Sequence, residues 1–187
     1  MQKTRIILVI LFFVVADHSV YAQSVADSIS VTWTKYIILN DSNQVLLMFD
    51  KSYNAWELPG TGYRGPISLR NTMDSVAQFS GIRYDDYALG GIFTYSKPGA
   101  YRTTVKPFFT ARFKGYLDGQ SLRYPKRMKW VDLDAAKKII PYPTMVMILE
   151  QLTKYPKTVW GGAFEEYDYN SPGGTKWKVI EPFYGLN

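Results

Sequence analysis

The 187-residue sequence contains no cysteine and a single histidine, His18. Without cysteine the chain forms no disulfide bond, so its stability must come from core packing. His18 lies in an N-terminal segment that we expect to be removed. The mature chain would then lack a Cys nucleophile, a Ser-His-Asp relay and a Cys/His zinc site. Any chemistry would have to use carboxylates, Lys, Arg, Tyr, Ser or a metal held by oxygen ligands.

The sequence also lacks an apolar run long enough to cross a membrane. The run from Ile6 to Ala16 is about half of the ~20 residues that a spanning helix needs. It follows Lys3 and Arg5, and small residues stand at Val20 and Ala22. This three-part pattern predicts a secretory signal peptide over residues 1–22. We therefore expect an exported protein, periplasmic or extracellular, with no transmembrane segment after signal removal.

The charge is mildly basic, with a formal net value of +6, and it is scattered along the chain. Such a surface suits anionic ligands, but only residues 123–129 are locally basic, and they precede a predicted strand. We therefore expect no nucleic-acid partner. Repeats, low-complexity runs and long linkers are also missing, so we expect one domain over residues 23–155, with residues 156–187 packed on it as an aromatic hairpin.

Hydrophobic patterning predicts strands through most of the chain. Residues 31–50 form two β-rich runs around an Asn/Asp/Ser turn, which is typical of a hairpin. Alternation predicts further strands over residues 88–97 and 101–117, and Pro107 indicates that the second lies at an edge or is interrupted. A short strand then passes into a helical turn, for which Asp132 or Asp134 is a suitable cap.

The C-terminal third combines a helix and a hairpin. Pro143 and Thr144 open the helix, whose apolar stripe consists of Met145, Ile148, Leu149, Leu152 and Tyr155. The hairpin is predicted to set Glu166 and Asp168 against Lys176 and Lys178, while Tyr167, Tyr169, Trp177 and Val179 cover the other face. Strands combined with helices of different lengths indicate an α/β or α+β fold.

One stretch, from Trp56 to Ile82, carries a recognisable order of features: WELPGTGYRGPISLRNTMDSVAQFSGI. A Trp-x-Leu-Pro-Gly turn leads to a polar loop, an amphipathic segment and Gly-Ile. With the preceding hairpin and the later Lys-Trp-Val-Asp-Leu and helix, residues 32–154 resemble the Nudix hydrolase superfamily. The resemblance implies an α/β/α sandwich with a mixed sheet. It also implies a box, G-x5-E-x7-R-E-U-x-E-E-x-G-U with U apolar, that binds Mg²⁺ or Mn²⁺ and activates water to cleave a diphosphate.

The box is degenerate in this sequence. Its scaffold positions are kept, at Gly60, Val76, Gly81 and Ile82. Hard divalent cations need several carboxylate oxygens, and glutamates three and four apart share one helix face. The positions of the Arg and the helical glutamates are held by Asp74, Ser75, Gln78 and Phe79, and the loop Glu is replaced by Pro66 or, in the other register, Ile67. Between Trp56 and Ile82 the only carboxylates are Glu57 and Asp74.

These substitutions favour a non-catalytic member of the superfamily that binds a ligand or a partner and needs no metal cofactor. The resemblance implies a nucleotide or another phosphorylated small molecule, held between aromatic side chains with arginines near a phosphate. The candidate ligand-binding residues are Tyr63, Arg64, Arg70, Tyr95 and Tyr101.

Two alternatives remain open from the sequence. The first is a divergent hydrolase of a nucleoside diphosphate derivative, using Mg²⁺ or Mn²⁺ with relocated acids at Asp74, Asp85 and Asp86. The second is an envelope interaction module, in which the aromatic C-terminal hairpin forms a homo-oligomer or binds another partner.

Overall fold

A computed structural model of the chain describes residues 32–63, 68–99, 103–119, 121–124, 126–168 and 174–187. The predicted signal peptide, Arg64, Tyr101 and Tyr169 lie outside the described residues, and so does most of the turn between the last two strands. The side chain of Tyr63 is likewise outside the description.

Strands and three helices alternate along the described part of the chain. They are β1 (Thr32–Leu39), β2 (Val45–Asp50), β3 (Ala55–Glu57), β4 (Gly60–Tyr63), α1 (Leu69–Ser80), β5 (Ile82–Ser96), β6 (Thr104–Tyr116), β7 (Met128–Val131), α2 (Leu133–Ile139), α3 (Pro143–Lys154), β8 (Trp160–Tyr167) and β9 (Lys176–Gly185). None of these helices has the length and apolarity of a membrane span. The predicted combination of strands and helices is confirmed.

All the strands belong to one mixed sheet. Its main path is β3-β2-β1-β6-β5-β8-β9, with β4 pairing β1 and β7 pairing β2. The β1–β6 and β5–β8 pairs are parallel, and the others are antiparallel. The prediction that Pro107 marks an edge strand or an interruption is wrong, because β6 runs through Pro107 and lies between β1 and β5. Pro107 lies just before the residues of β6 that pair with β1, so it removes no ladder hydrogen bond there.

The sheet separates two hydrophobic layers. Alternate residues of β1 point to opposite faces, so Tyr36 and Ile38 pack with Met73 of α1, while Ile37 packs with Ile148 of α3. We call these the α1 face and the α3 face. Helix α2 also packs on the α3 face, which makes the architecture an α/β/α sandwich, as predicted.

The ends of the two long helices follow the sequence signals. Helix α1 begins after Ser68, whose Oγ accepts a hydrogen bond from the Asn71 N–H at 3.1 Å. It ends at Gly81, with a φ of 74°, and Ile82 is buried directly after it. In α3 the predicted stripe is buried except for Tyr155, which is exposed because the helix ends one residue earlier.

The C-terminal hairpin continues the main sheet, because β8 pairs in parallel with β5. The predicted cross-strand contact of Asp168 with Lys176 is present, with 2.9 Å between Oδ2 and Nζ. The prediction for Glu166 is wrong. Glu166 lies opposite Trp177 and shares the buried face of β8 with Phe164, so it points towards α3 and does not face Lys176 or Lys178 across the hairpin.

Candidate functional site

The loop that leads into the box helix starts from a tight crossing of two strands. Gly60 in β4 lies opposite Lys35 in β1. A Cβ at Gly60 would be 2.4 Å from the Thr34 carbonyl oxygen and 2.6 Å from Lys35 Cδ. Only glycine permits this approach without a shift of the backbone. The glycine that opens the box is therefore a packing requirement, independent of any bound metal.

The exposed face of α1 carries no carboxylate at the box positions. Ser75 and Gln78 are exposed, and Ser75 Oγ donates to the Asn71 carbonyl oxygen at 2.7 Å. Phe79 stacks on Tyr124, with ring centroids 4.8 Å apart. These side chains offer no charged oxygen to a hard divalent cation. The exposed side of the box helix therefore does not fit the Mg²⁺ or Mn²⁺ that the resemblance implies.

The acids proposed as replacements make other contacts. Asp74 accepts a hydrogen bond from the Tyr84 hydroxyl at 2.6 Å. Burial, helped by this bond, raises the pKa of Tyr84. Asp85 forms an exposed ion pair with Lys114 at 3.1 Å, and Asp86 is exposed with a left-handed φ of 49°. Within the described ranges, no group of three or more acidic or histidine side chains is arranged to hold a metal ion.

A second region has more unusual chemistry. A cleft of about 220 Å³ opens on the α3 face, and the described residues that line it include three basic and three acidic side chains. The basic residues are Lys35, Lys97 and Lys106, and the acidic residues are Asp50, Glu57 and Glu166. We call it the α3-face cleft. A larger groove of about 630 Å³ runs along α2 and α3, but Lys137 there is paired with Asp134 and Glu150 in exposed ion pairs.

At one side of the α3-face cleft, Lys35 and Glu57 form a buried ion pair. Their charged atoms are 2.7 Å apart, and only 7% and 11% of the two side chains is exposed. Lys35 Nζ also donates to the Leu58 carbonyl oxygen at 3.4 Å. The pair links β1 to β3 immediately before the box, so Glu57 is already neutralised inside the fold.

Lys106 occupies a different environment in the same cleft. Its Nζ lies 3.7 Å from the centroid of the Tyr95 ring. Burial lowers the pKa of Lys106 to about 8, although the negative charge of Glu166 partly opposes this shift. In the part of the chain that the structure describes, the amine has no hydrogen bond and no ion pair. A largely buried ammonium group that contacts an aromatic ring can still donate hydrogen bonds to an acceptor on a ligand.

Glu166 closes the cleft at the start of α3. Its Oε1 accepts a hydrogen bond from Thr144 Oγ1 at 2.6 Å, and the carboxylate also accepts from the Thr144 backbone N–H. The residue before the helix, Tyr142, makes no side-chain cap. Glu166, which belongs to β8, therefore caps the N-terminal end of helix α3. Burial raises the pKa of Glu166, while the Lys106 charge and the Thr144 hydrogen bonds act in the opposite direction.

Of the predicted ligand-binding residues, Tyr95 lies behind the wall of the α3-face cleft, where its ring contacts the lining residue Lys106. It is 5% exposed, with its ring between Lys106 and Phe164. Arg70 is exposed in the first turn of α1. Its charge acts on Tyr84 and Tyr87, which lie on the α1 face of the sheet and therefore on the side away from the cleft. The roles proposed for Tyr63, Arg64 and Tyr101 stay predictions.

Sequence reasoning missed the charged residues of the cleft. For three of these residues the sequence contained a signal, because each of the three lies two positions from a buried apolar residue on the same strand face. The pairs are Lys35 with Ile37, Lys106 with Phe108, and Glu166 with Phe164. A charge that interrupts an apolar period of two predicts either a buried ion pair or a site.

The sheet, its two helical layers and the helix that ends at Gly81 are those of the Nudix fold. The structure is similar to a crystal structure of a mutator MutT protein from Bacillus halodurans, with a TM-score of 0.61 and 18% identity, covering 81% of this chain and 99% of that one. A Nudix hydrolase from Nitrosomonas europaea gives a TM-score of 0.51 and 14% identity, over 66% of this chain and 88% of that one. An Ap4A hydrolase from C. elegans gives the same two values over 67% and 98%.

No protein-family profile and no curated protein sequence matches this chain. At identities this low, the structural similarity establishes the fold and leaves the activity open.

Proposed function

We propose that this chain is an exported Nudix-fold protein that binds a small molecule in the α3-face cleft and does not use box-dependent metal hydrolysis. One observation carries the proposal. The cleft holds a buried ion pair and a desolvated amine at Lys106, whereas the box helix presents Ser75, Gln78 and Phe79 where a metal site needs carboxylates.

The energetics support a role for the cleft in binding. Taking charged groups out of water costs free energy that their mutual attraction often fails to recover. The Lys35–Glu57 pair and Lys106 therefore weaken the fold relative to apolar residues of the same size. Groups of this kind concentrate at functional sites. The aromatic side chains of Trp33 and Tyr53 at the cleft add surfaces on which a planar ligand can stack.

The ligand class follows from the resemblance as a starting point. One of the structurally similar proteins is named an Ap4A hydrolase, so a nucleotide or another phosphorylated small molecule is the first class to test. The export proposal rests on the signal pattern over residues 1–22. Mass analysis of the N-terminus of secreted protein, with cleavage after Ala22 expected, tests that part separately.

Calorimetry and a hydrolysis assay test the absence of box chemistry. We expect no stoichiometric binding of Mn²⁺ or Mg²⁺, and no release of phosphate or nucleoside monophosphate from nucleotide sugars and dinucleotides. Stoichiometric metal binding together with turnover that Asp74→Asn abolishes would replace this proposal with the relocated-acid hydrolase.

Ligand-induced thermal stabilisation tests the binding role. A ligand at 100 times its Kd stabilises the folded state by about 2.7 kcal/mol, which is readily detected in a thermal shift. We expect hits from a panel of small polar molecules to be lost in Lys106→Met and kept in Lys157→Met, a change to an exposed lysine of the loop before β8. Hits that both variants retain equally would place the binding site outside the α3-face cleft.

A second function is favoured by the outermost strand. On β9, Trp177, Ile180 and Tyr184 are exposed by 43%, 51% and 42%. We propose that these side chains contact a second copy of the chain. Light scattering on the wild type and Ile180→Glu tests this, with a dimer expected for the first and a monomer for the second. A monomeric wild type would exclude it.

A further inference from the structure

We propose that Lys106 Nζ anchors the carboxylate of a small monoanionic ligand with an apolar or aromatic body. The inference rests on the proposed function, binding in the α3-face cleft, and gives a small carboxylate as the ligand class in place of the phosphorylated molecules that the resemblance suggests. It also separates this cleft from the diphosphate chemistry that the fold suggests.

Unsatisfied donors point to Lys106 as the anchor. The Lys35 ammonium is already satisfied by Glu57 at 2.7 Å and by the Leu58 carbonyl. Lys106 carries three N–H donors, and its contact in the described structure is the face of the Tyr95 ring. A partly desolvated ammonium gains most from a charged acceptor, because a charge-assisted hydrogen bond is about twice as strong as a neutral one.

The charge balance of the cleft favours a single negative charge. Among the described residues, three basic and three acidic side chains line it, so their formal charges sum to zero before a ligand enters. One carboxylate can lie against Lys106 while the rest of the ligand stays neutral. A diphosphate would bring further negative charges close to Asp50, Glu57 and Glu166, where like charges repel in a medium less polar than water.

The size and walls of the cleft indicate a ligand of about one ring. Its volume of about 220 Å³ lies below the range of about 300 to 1,000 Å³ that is typical of drug-sized ligands. Trp33, Tyr53 and Met145 contribute aromatic and apolar surface to its lining. The occupant that matches these walls is a small aromatic or aliphatic carboxylate.

Protonation of Lys106 gives the inference a distinctive signature. Several charges act on the amine: Glu166 from β8, Lys35 from β1, Glu57 from β3 and Lys97 after β5. Their effects are smaller than that of burial, which lowers the Lys106 pKa to about 8. A bound anion favours the protonated amine, so binding near pH 8 takes up protons. Above that pH the affinity falls about tenfold per pH unit.

Calorimetry with three matched probes tests the inference. Benzoate carries the carboxylate, benzamide is its neutral counterpart, and phenyl phosphate replaces the carboxylate with a phosphate monoester. We expect benzoate to bind at pH 7 at least tenfold more tightly than the other two. Titrations at pH 8 in buffers of different ionisation enthalpy should show proton uptake. This measurement uses the wild-type protein and depends on no variant being folded.

Variants assign the effect to one side chain. Lys106→Met should weaken benzoate binding at least tenfold, whereas Lys157→Met should leave it unchanged. Lys106→Arg should retain binding at pH 9.5, where the wild type loses it, because an arginine stays charged. Thermal unfolding of each variant shows whether it is folded. Benzoate affinity that is equal in Lys106→Met overturns the inference.

The remaining outcomes are also decisive. Equal binding of benzoate and benzamide, or no proton uptake, overturns the carboxylate assignment and leaves small-molecule binding in the cleft intact. Lys106-dependent binding of phenyl phosphate in preference to benzoate assigns the anchor to phosphate instead. Failure of all three probes also overturns the inference. Metal-dependent hydrolysis of a nucleotide, by contrast, overturns the proposed function itself.

Discussion

Thr144 Oγ1 donates a hydrogen bond to Glu166 Oε1 over 2.6 Å, and both residues are buried. The bond joins the penultimate strand to the first turn of α3 and lies at the wall of the α3-face cleft. The Glu166 side chain therefore caps α3, connects it to the sheet and lines the cleft. Replacing it tests how much this contact stabilises the fold.

We expect Glu166→Leu to lower the free energy of unfolding by about 1–3 kcal/mol, because Thr144 is left with unsatisfied buried donors. The matched control is Glu165→Leu, the neighbouring position on the opposite side of β8, where we expect a change within about 0.5 kcal/mol. Urea unfolding followed by fluorescence measures both. Similar losses in the two variants would exclude a capping role for Glu166.

The pH dependence of stability provides a separate prediction for Glu166. Because burial raises its pKa above the ordinary value of 4.5, the folded state binds more protons than the unfolded state just above that pH. The stability contribution is therefore full below pH 4.5 and is lost as the pH rises through the folded pKa. Glu166→Gln keeps an acceptor but does not titrate. Its stability should fall less than that of the wild type as the pH is raised from 4 to 7, and parallel curves would contradict the shift.

The contribution of Lys106 to stability should change with pH in the opposite direction. Its pKa falls from 10.5 to about 8 in the folded state, so the unfolded chain binds more protons between these pH values. Stability should therefore rise between pH 8 and 10.5, by up to about 3 kcal/mol. Lys106→Met should remove this rise and be more stable than the wild type at pH 7. Chemical denaturation at several pH values measures both effects, and a less stable methionine variant would contradict the prediction.

Whether a structural feature could be predicted from the sequence depends on how far apart along the chain the interacting residues lie. Ser68, Gly81 and Pro143 act within a few residues of their own position, and the helix ends they mark could be predicted from local chemistry. The fold was expected from the order of turns, strands and helices over residues 32–154, which resembles that of the Nudix superfamily. The position of Glu166 could not, because its partner is twenty-two residues away on another element. An alternating Glu and Lys pattern predicted an exposed ladder pair, and tertiary packing placed the carboxylate inside.

The same limit applies to the cleft. Lys35 and Glu57 are brought together because β1 runs beside β4, which follows β3 after two residues. Lys106 and Tyr95 meet because β5 and β6 pair in antiparallel register. Each contact joins parts of the chain that sequence patterns describe separately. The box, a continuous stretch, showed from the sequence alone that its glutamates were replaced.

The opening glycine of the box yields a prediction that involves no ligand. Gly60→Ala should destabilise the fold by about 1–3 kcal/mol, because the new methyl group would lie 2.4 Å from the Thr34 carbonyl oxygen. Gly62→Ala in the same strand is the control, since its nearest contact would be an ordinary 3.4 Å from the Trp33 ring. Thermal unfolding compares them, and equal melting temperatures would show that β1 can move away.

Restoring acids on α1 tests whether the rest of the box scaffold is intact. Ser75 and Gln78 are three residues apart on an exposed helix face. We expect Ser75→Glu with Gln78→Glu to bind Mn²⁺ and the wild type not to bind it. Calorimetry measures this, and Ser75→Gln with Gln78→Glu, which has one charge fewer, is the control. Equal metal affinity in the two double variants would show that the helix no longer positions ligands.

The parallel pairing of β8 with β5 has a consequence for how the protein is made. Glu166 comes later in the chain than the other described residues that line the cleft, yet it caps α3 and closes the cleft. Earlier segments can collapse during synthesis, since chains generally fold from the N-terminal side. The cleft can therefore be completed only after β8 has been synthesised. A chain truncated before β8 would lack the wall that Glu166 forms, so we expect it not to bind the proposed ligand.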